Sequence, residues 1–276
     1  MGPVDLVGGW GAPDAAVAVV APGEAGVLAS AGDRALRSGW ASVTKLATAL
    51  AVLVAVEEGT LALDDPAGPP GSTVRHLLAH ASGLAFDEER VLARPGERRI
   101  YSNVGFETLA RELADRSGMP FERYLTEAVL EPLGMAETRL EEGGTAAAGL
   151  GGPLEDMIRL ASELLVPTLV SEETFRCATA EVAFPGLGGV LPGVGRFRPL
   201  DWGLGFEIRD GKEPHWTGTG NSPATFGHFG GSGSFLWVDP DARLACAVLS
   251  RRGFDSWALR AWPELSDAVL ADYAGG

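Results

Sequence analysis

The chain has 276 residues, 46% of them hydrophobic, and a formal net charge of -15. That length buries about three quarters of the unfolded surface, enough for one large domain or two interleaved lobes. The acidic balance excludes nucleic acid and anionic membrane as partners, since both need a basic face.

The first elements read as strands. Ala15 to Val20 is an apolar, β-prone run and Gly26 to Ala29 a shorter one, and Pro22-Gly23 between them predicts a hairpin. A loop from Ser30 to Gly39 leads into Trp40 and then Ala41-Ser42-Val43-Thr44-Lys45. Leu46 to Val56 follows as a helix that is apolar on nearly every side and hence buried on nearly every side, with Gly59 placed to stop it. The spacing of Ser42 and Lys45 stacks both side chains on one helix face. A serine at a helix N-terminus also exposes its own amide, so a nucleophile, a base and an anion-stabilising dipole meet in one turn. The chain holds only Lys45 and Lys212 beside twenty arginines. A lysine desolvated by an apolar helix has its pKa lowered and can accept a proton, which an arginine cannot. A plain serine cap followed by a lysine that snorkels to solvent fits the same five residues.

Leu61-Ala62-Leu63-Asp64-Asp65-Pro66 and the cluster Gly68 to Gly71 are turn chemistry. Ser72 to His80 reads as a short helix capped by Ser72 or Thr73 and ending near Ser82-Gly83. Its two histidines, His76 and His80, lie four apart, a spacing that binds metal in some helices. The glutamate of a zinc-protease helix does not follow the first, so they are expected to be structural, and no metal or cofactor is expected anywhere. Arg94 to Glu97 is a further turn before Tyr101-Ser102-Asn103. Helices are predicted at Gly105 to Ser117, Phe121 to Val129 and Leu154 to Leu165, with Pro132 to Met135 as a stop. Gly143 to Gly152 reads as a loop without a phosphate-binding fingerprint, and Pro185 to Pro199 as an irregular surface loop.

Beyond Asp201 the pattern turns to strands, at Leu204 to Arg209, Thr225 to Phe229, Ser234 to Val238 and Leu244 to Ser250, before an amphipathic helix from Ser256 to Tyr273. The expected fold is α/β of the α+β kind. One antiparallel sheet is built from both termini and flanked by helices (residues 1–60 plus 200–276), and a mainly helical lobe (61–199) is inserted, with a cleft between them. Cys177 and Cys246 are expected as buried thiols and not as a disulfide. No secretion signal and no apolar run of ~20 residues is present, which predicts a cytoplasmic protein with no membrane contact, or an exported one whose leader has been trimmed.

The motifs Ser42-Val43-Thr44-Lys45, Leu61 to Pro66, Val74-Arg75-His76-Leu77-Leu78-Ala79-His80-Ala81-Ser82-Gly83-Leu84, Tyr101-Ser102-Asn103 and Gly227-His228-Phe229-Gly230-Gly231-Ser232-Gly233 occur in that order. Over roughly residues 38 to 252 the chain thereby resembles the serine β-lactamase and D-alanyl-D-alanine peptidase family, in its class C and esterase branch. The resemblance implies that Ser42 is acylated, with Lys45 or Tyr101 receiving its proton. Tyr101 would also serve the leaving group and the deacylating water. It implies that Asn103 hydrogen-bonds Lys45 and the substrate amide, that the amides of Ser42 and Gly231 form an oxyanion hole, and that His228, Phe229 and Gly230 contact substrate. His228-Phe229-Gly230 stands where many β-lactamases have Lys-Thr-Gly. A titratable histidine thus replaces a fixed cation and a hydroxyl is lost, which points to esterase or peptidase-like chemistry ahead of penicillin hydrolysis. The expected partner is a small-molecule ester, amide or β-lactam, with the oligomeric state left open. A binding protein on a retired hydrolase scaffold and a metal hydrolase using His76 and His80 are the rival readings.

Overall fold

The computed structural model describes residues 2–12 and 14–275. In chain order the first elements are β1 (Ala16–Val20), β2 (Val27–Ala31), β3 (Arg37–Gly39), α1 (Thr44–Glu57), α2 (Val74–Leu78) and β4 (Arg99–Ile100). Next come α3 (Asn103–Ser117), α4 (Phe121–Leu125), β5 (Arg139–Leu140), β6 (Leu150–Pro153), α5 (Leu154–Leu165) and α6 (Glu172–Thr179). The last third holds β7 (Gly189–Leu191), β8 (Gly195–Phe197), β9 (Glu207–Ile208), β10 (Phe226–Phe229), β11 (Phe235–Asp239), β12 (Leu244–Leu249) and α7 (Ala258–Tyr273).

The main sheet has six strands in the order β2-β1-β12-β11-β10-β9, all antiparallel, so strands from both ends of the chain meet at the β1–β12 pair as expected. Every residue of β1, β11 and β12 is buried, because the sheet is covered on both faces. Ala16, Ala18, Leu236, Ala245, Ala247 and Leu249 face a core shared with α1 and α5. Val17, Val19, Phe235, Trp237, Cys246 and Val248 face a second core filled by α7 and an N-terminal 3-10 turn, Pro3–Gly9. Strand β2 alternates between half-buried and exposed, as an edge strand should. Helix α1 is buried without a break from Thr44 to Leu53, which the apolar run predicted.

Two small sheets shape the neighbourhood of Ser42 and Tyr101. Strand β3 runs into the Ser42 turn and pairs with β6, Gly39 opposite Gly151, and β6 in turn pairs with β5. The stretch read as a loop from Gly143 to Gly152 therefore ends in a strand. Its glycines hide β-propensity but are required by close approach: a Cβ at Gly152 would lie 2.1 Å from Thr138 Oγ1. Likewise, Pro185 to Pro199 is not an irregular loop. It contains the β7–β8 hairpin, with Leu191 buried at its tip and β7 pairing in parallel with β4. The strand expected over Leu204 to Arg209 shrinks to β9, because Gly205 adopts φ +97 where a Cβ would collide with Ala49 on α1. Helix α6 is not among the expected elements; Ser171 caps it, its side chain accepting from Thr174 N. Cys246 is a buried free thiol on β12, whereas Cys177 on α6 is free and only half-buried.

Two buried side chains hold the Tyr101 segment. Arg99 is 1% exposed and its guanidinium donates to the carbonyls of Ala79, Ala183, Phe184 and Leu200, joining three separate segments with no carboxylate in contact among the described residues. His80 lies past the end of α2 at φ +53. Its carbonyl accepts from Ile100 N at 2.9 Å and its Nδ1 from Ser102 N at 3.1 Å. The His80 ring packs against Tyr101, Phe106 and Trp202. Helical stacking of His76 with His80 is thereby lost, and among the described residues no group of three or more His, Cys, Asp or Glu side chains could hold a metal ion. Replacing Arg99 by Met leaves those carbonyls buried and unpaired, which should cost roughly 3 kcal/mol or more. Thermal unfolding of the variant should show a clearly lowered midpoint, and an unchanged midpoint would show that the carbonyls find other partners.

Candidate active site

Ser42 sits in a tight turn between β3 and α1. Ala41, just before it, has φ +47, a left-handed conformation that an L-residue adopts at a cost of about 1–2 kcal/mol. The turn is anchored by Trp40 N donating to Leu150 O at 2.8 Å and by Leu150 N donating to Thr44 Oγ1 at 3.0 Å. The far side of the turn is pressed against the end of β10. A Cβ on Gly230 would lie 2.5 Å from Trp40 O and 3.1 Å from Ser42 N, so only glycine allows the two backbones to touch. Neither the Ser42 amide nor the Gly231 amide donates to any partner among the described residues, and the space beside Gly231 is open.

Lys45 lies one turn on, completely buried. Its Nζ reaches Ser42 Oγ at 3.4 Å, Asn103 Oδ1 at 2.6 Å and Ala147 O at 2.9 Å. It also stands 4.8 Å from the centre of the Tyr101 ring and 5.4 Å from that of Phe106. Burial lowers its pKa to about 7, against the opposing pull of Glu107 and Asp87. Asn103, the first residue of α3, is fixed from its other end by Nδ2 donating to Asp87 Oδ1 at 2.7 Å. Ser102 caps that helix by accepting from Gly105 N at 3.0 Å.

Tyr101 is buried, and burial pushes its phenol well above its ordinary range, with Ser42 pulling the other way. His228 has its Nδ1 2.6 Å from the Phe229 carbonyl, which only accepts. The Nδ1 therefore carries the proton, and Nε2 is left to accept from the Tyr101 hydroxyl at 3.3 Å. Burial, reinforced by Lys45, lowers the His228 pKa to about 3. The residue expected to be a titratable histidine in the cleft is a neutral ring with both nitrogens engaged inside the protein. Phe229 is buried and packs its ring against Phe254 and Trp262 while lining the cleft.

These side chains surround a cavity of about 240 Å³ whose walls include Ser42, Tyr101, His228, Phe229 and Gly231. Of the expected site residues, Ser42, Tyr101, His228, Phe229 and Gly231 line the cavity, while Lys45 and Asn103 lie behind Ser42 through hydrogen bonds and Gly230 lies against the Ser42 turn. The sequence reading missed the rest of the wall, Phe86, Leu191, Pro192, Gly193 and Phe254. Two cues for it exist: Phe86 is a large apolar residue beside a run of acids, and Pro192-Gly193 is a turn between β-prone residues.

The Beta-lactamase family model matches residues 5–269. A crystal structure of a beta-lactamase from Mycobacterium bovis is 57% identical and superimposes with a TM-score of 0.95 over 99% of both chains. The D-alanyl-D-alanine-carboxypeptidase/endopeptidase AmpH of Escherichia coli is 29% identical over 135 residues, 36% of this chain and 35% of the relative. Penicillin-binding protein 4* of Bacillus subtilis is 30% identical over 133 residues, 36% of this chain and 30% of the relative, so the matches span about a third of each curated relative. With the family model covering most of its length and the Ser42, Tyr101 and His228 motifs meeting at one cavity, the chain belongs to the Beta-lactamase family.

Proposed function

We propose that the protein is a serine hydrolase that cleaves an ester or amide through an acyl-enzyme on Ser42, acting as an esterase or peptidase-like enzyme of the class C kind. The observation that carries this reading is a buried lysine with a pKa near 7 placed 3.4 Å from a serine hydroxyl at the base of a cavity. At neutral pH a substantial fraction of Lys45 is the free amine, which can take the Ser42 proton as Oγ attacks the carbonyl carbon. The free amides of Ser42 and Gly231 receive the oxyanion, each contributing about 3 kcal/mol in the transition state. Tyr101 stays a neutral phenol, which makes it a poor base and a good relay. It passes a proton to the leaving group and recovers one from Lys45, so that the carbonyl–leaving-group bond breaks as the acyl–Oγ bond is retained. Water then reverses the sequence, giving its proton up along the same route and releasing the acid. Asn103, held between Lys45 and Asp87, keeps the amine in place.

β-Lactam hydrolysis is the second reading, favoured by the 57% identity to a protein described as a beta-lactamase. Against it stands the third motif, where a buried neutral His228 and the apolar Phe229 offer no charge or hydroxyl to a β-lactam carboxylate. Rates on short p-nitrophenyl esters, nitrocefin and a D-Ala-D-Ala peptide should rank the ester first, and nitrocefin ahead by orders of magnitude would reverse the assignment.

A fluorophosphonate probe should add to wild type and not to Ser42→Ala as read by intact mass, and the variant should lose at least about a thousandfold in ester hydrolysis. An undiminished adduct on the variant would sink the acyl-enzyme. The base must be unprotonated to act, so kcat/KM on a neutral ester should climb about tenfold per pH unit below an inflection near the Lys45 pKa of about 7 and level off above it. In Lys45→Met the residual rate should be down at least about a hundredfold and should lack that inflection. A flat wild-type profile from about pH 5 to 9 would remove Lys45 from the role.

A further inference from the structure

Phe86, Tyr101 and Pro192 wall the Ser42 cavity on one side, and behind them lies a second cavity of about 340 Å³ that shares those three residues. Its backbone walls come from β4 and the β7–β8 hairpin. Exposed apolar side chains line it: Phe86 is 45% exposed, Leu92 41% and Val190 45%, three of the large hydrophobic side chains that this protein leaves in solvent. Two exposed guanidinium groups also line it, those of Arg98 and Arg196.

Those two arginines lack the partners that their neighbours have. Arg90 and Arg94, a few residues earlier, are paired with Glu88 and Glu97. Arg99, beside them, is spent on buried carbonyls. Among the described residues the Arg98 side chain makes one hydrogen bond, to the Leu92 carbonyl at 2.9 Å, and its other guanidinium N–H groups have no protein acceptor. No carboxylate pairs with Arg98 or Arg196 among the described residues, in a chain whose acids outnumber its bases by 37 to 22. A guanidinium fork left open over an apolar wall matches a carboxylate or phosphate carried on an apolar spacer.

We infer that the substrate of this site carries an anionic group, bound by Arg98 and Arg196 in the second cavity while its scissile carbonyl lies at Ser42. The apolar part between them lies across Phe86, Leu92 and Val190. The inference rests on the hydrolase reading above and adds to it a recognition element that the catalytic residues do not supply. The overall charge of -15 repels an anion at long range, so recognition depends on the short-range arginine contacts and weakens as salt screens them.

The anion belongs either to the acyl group or to the leaving group, and matched esters separate the two. One pair is 4-nitrophenyl hexanoate and the 4-nitrophenyl monoester of adipic acid; the other is phenyl hexanoate and its 4-carboxyphenyl counterpart corrected for leaving-group reactivity. In one of the pairs kcat/KM should favour the anionic member by about fivefold to thirtyfold at low salt, with the ratio shrinking in 0.5 M NaCl, as two exposed ion pairs allow. Arg98→Gln/Arg196→Gln should bring that ratio close to one, and Arg176→Gln, on a remote helix, should leave it as in wild type. A wild type that cleaves neutral esters but shows no anionic preference in either pair, or a preference that survives in the double variant, overturns the subsite alone. A wild type that neither cleaves the neutral esters nor takes the fluorophosphonate on Ser42 overturns the hydrolase reading and the subsite with it.

Discussion

Taking an ammonium out of water costs several kcal/mol unless the protein replaces its hydration, and at Lys45 this protein accepts that cost with no carboxylate in contact among the described residues. Two acceptors, Asn103 Oδ1 and Ala147 O, and the faces of Tyr101 and Phe106 stand in for the lost water. That is enough to keep the group in place and too little to keep its proton bound as tightly as in solution. Each surrounding element has a part in this balance. Helix α1 supplies the apolar wall, α3 delivers Asn103 from its first turn, and the segment before β6 presents the Ala147 carbonyl. The distant Glu107 and Asp87 limit how far the pKa falls.

The other half of the site is built by backbone contact. Gly230 lets the end of β10 lie against the Ser42 turn, and the price in Cβ space is met by having no side chain at all. Since β10 belongs to a sheet buried on both faces, the position of its end is set by two cores at once. The Tyr101 segment is set by different means, through polar groups in the interior. His80 and Arg99 spend their hydrogen-bonding capacity on main-chain atoms there, and the His80 Nε2 is left without a partner.

Much of this was legible in the sequence, for reasons that differ by residue. The buried helix after Ser42, the β1–β2 hairpin and the strand at Phe226 are local patterns of hydrophobicity and turn residues, and such patterns survive in one dimension. The Ser42–Lys45 spacing and the Tyr101-Ser102-Asn103 run are likewise local, so the side chains that the fold gathers were nameable beforehand. What was not legible depends on tertiary contact. Strand β6 is written in glycines that look like loop residues until Thr138 and Glu141 are seen pressing on them. The β7–β8 hairpin needs its parallel partner β4 to be recognised as structure. His80 could be expected to be structural, but its hold on Ser102 follows from a left-handed backbone that no spacing announces. The neutrality of His228 arises from burial beside Lys45, and its tautomer from the Phe229 carbonyl, neither of which the motif encodes.

Lys212, the other lysine, is nearly as inaccessible as Lys45: it is 4% exposed, its ammonium is 3.0 Å from Glu207, and that carboxylate is further held by His215 and Trp216. With the chain's positive surface written entirely in arginine, no lysine amine is offered to solvent. Amine-directed cross-linkers, dyes and immobilisation resins would find no surface lysine to couple to, and enzymes that acetylate or ubiquitinate lysine would find no side chain to modify on the folded protein.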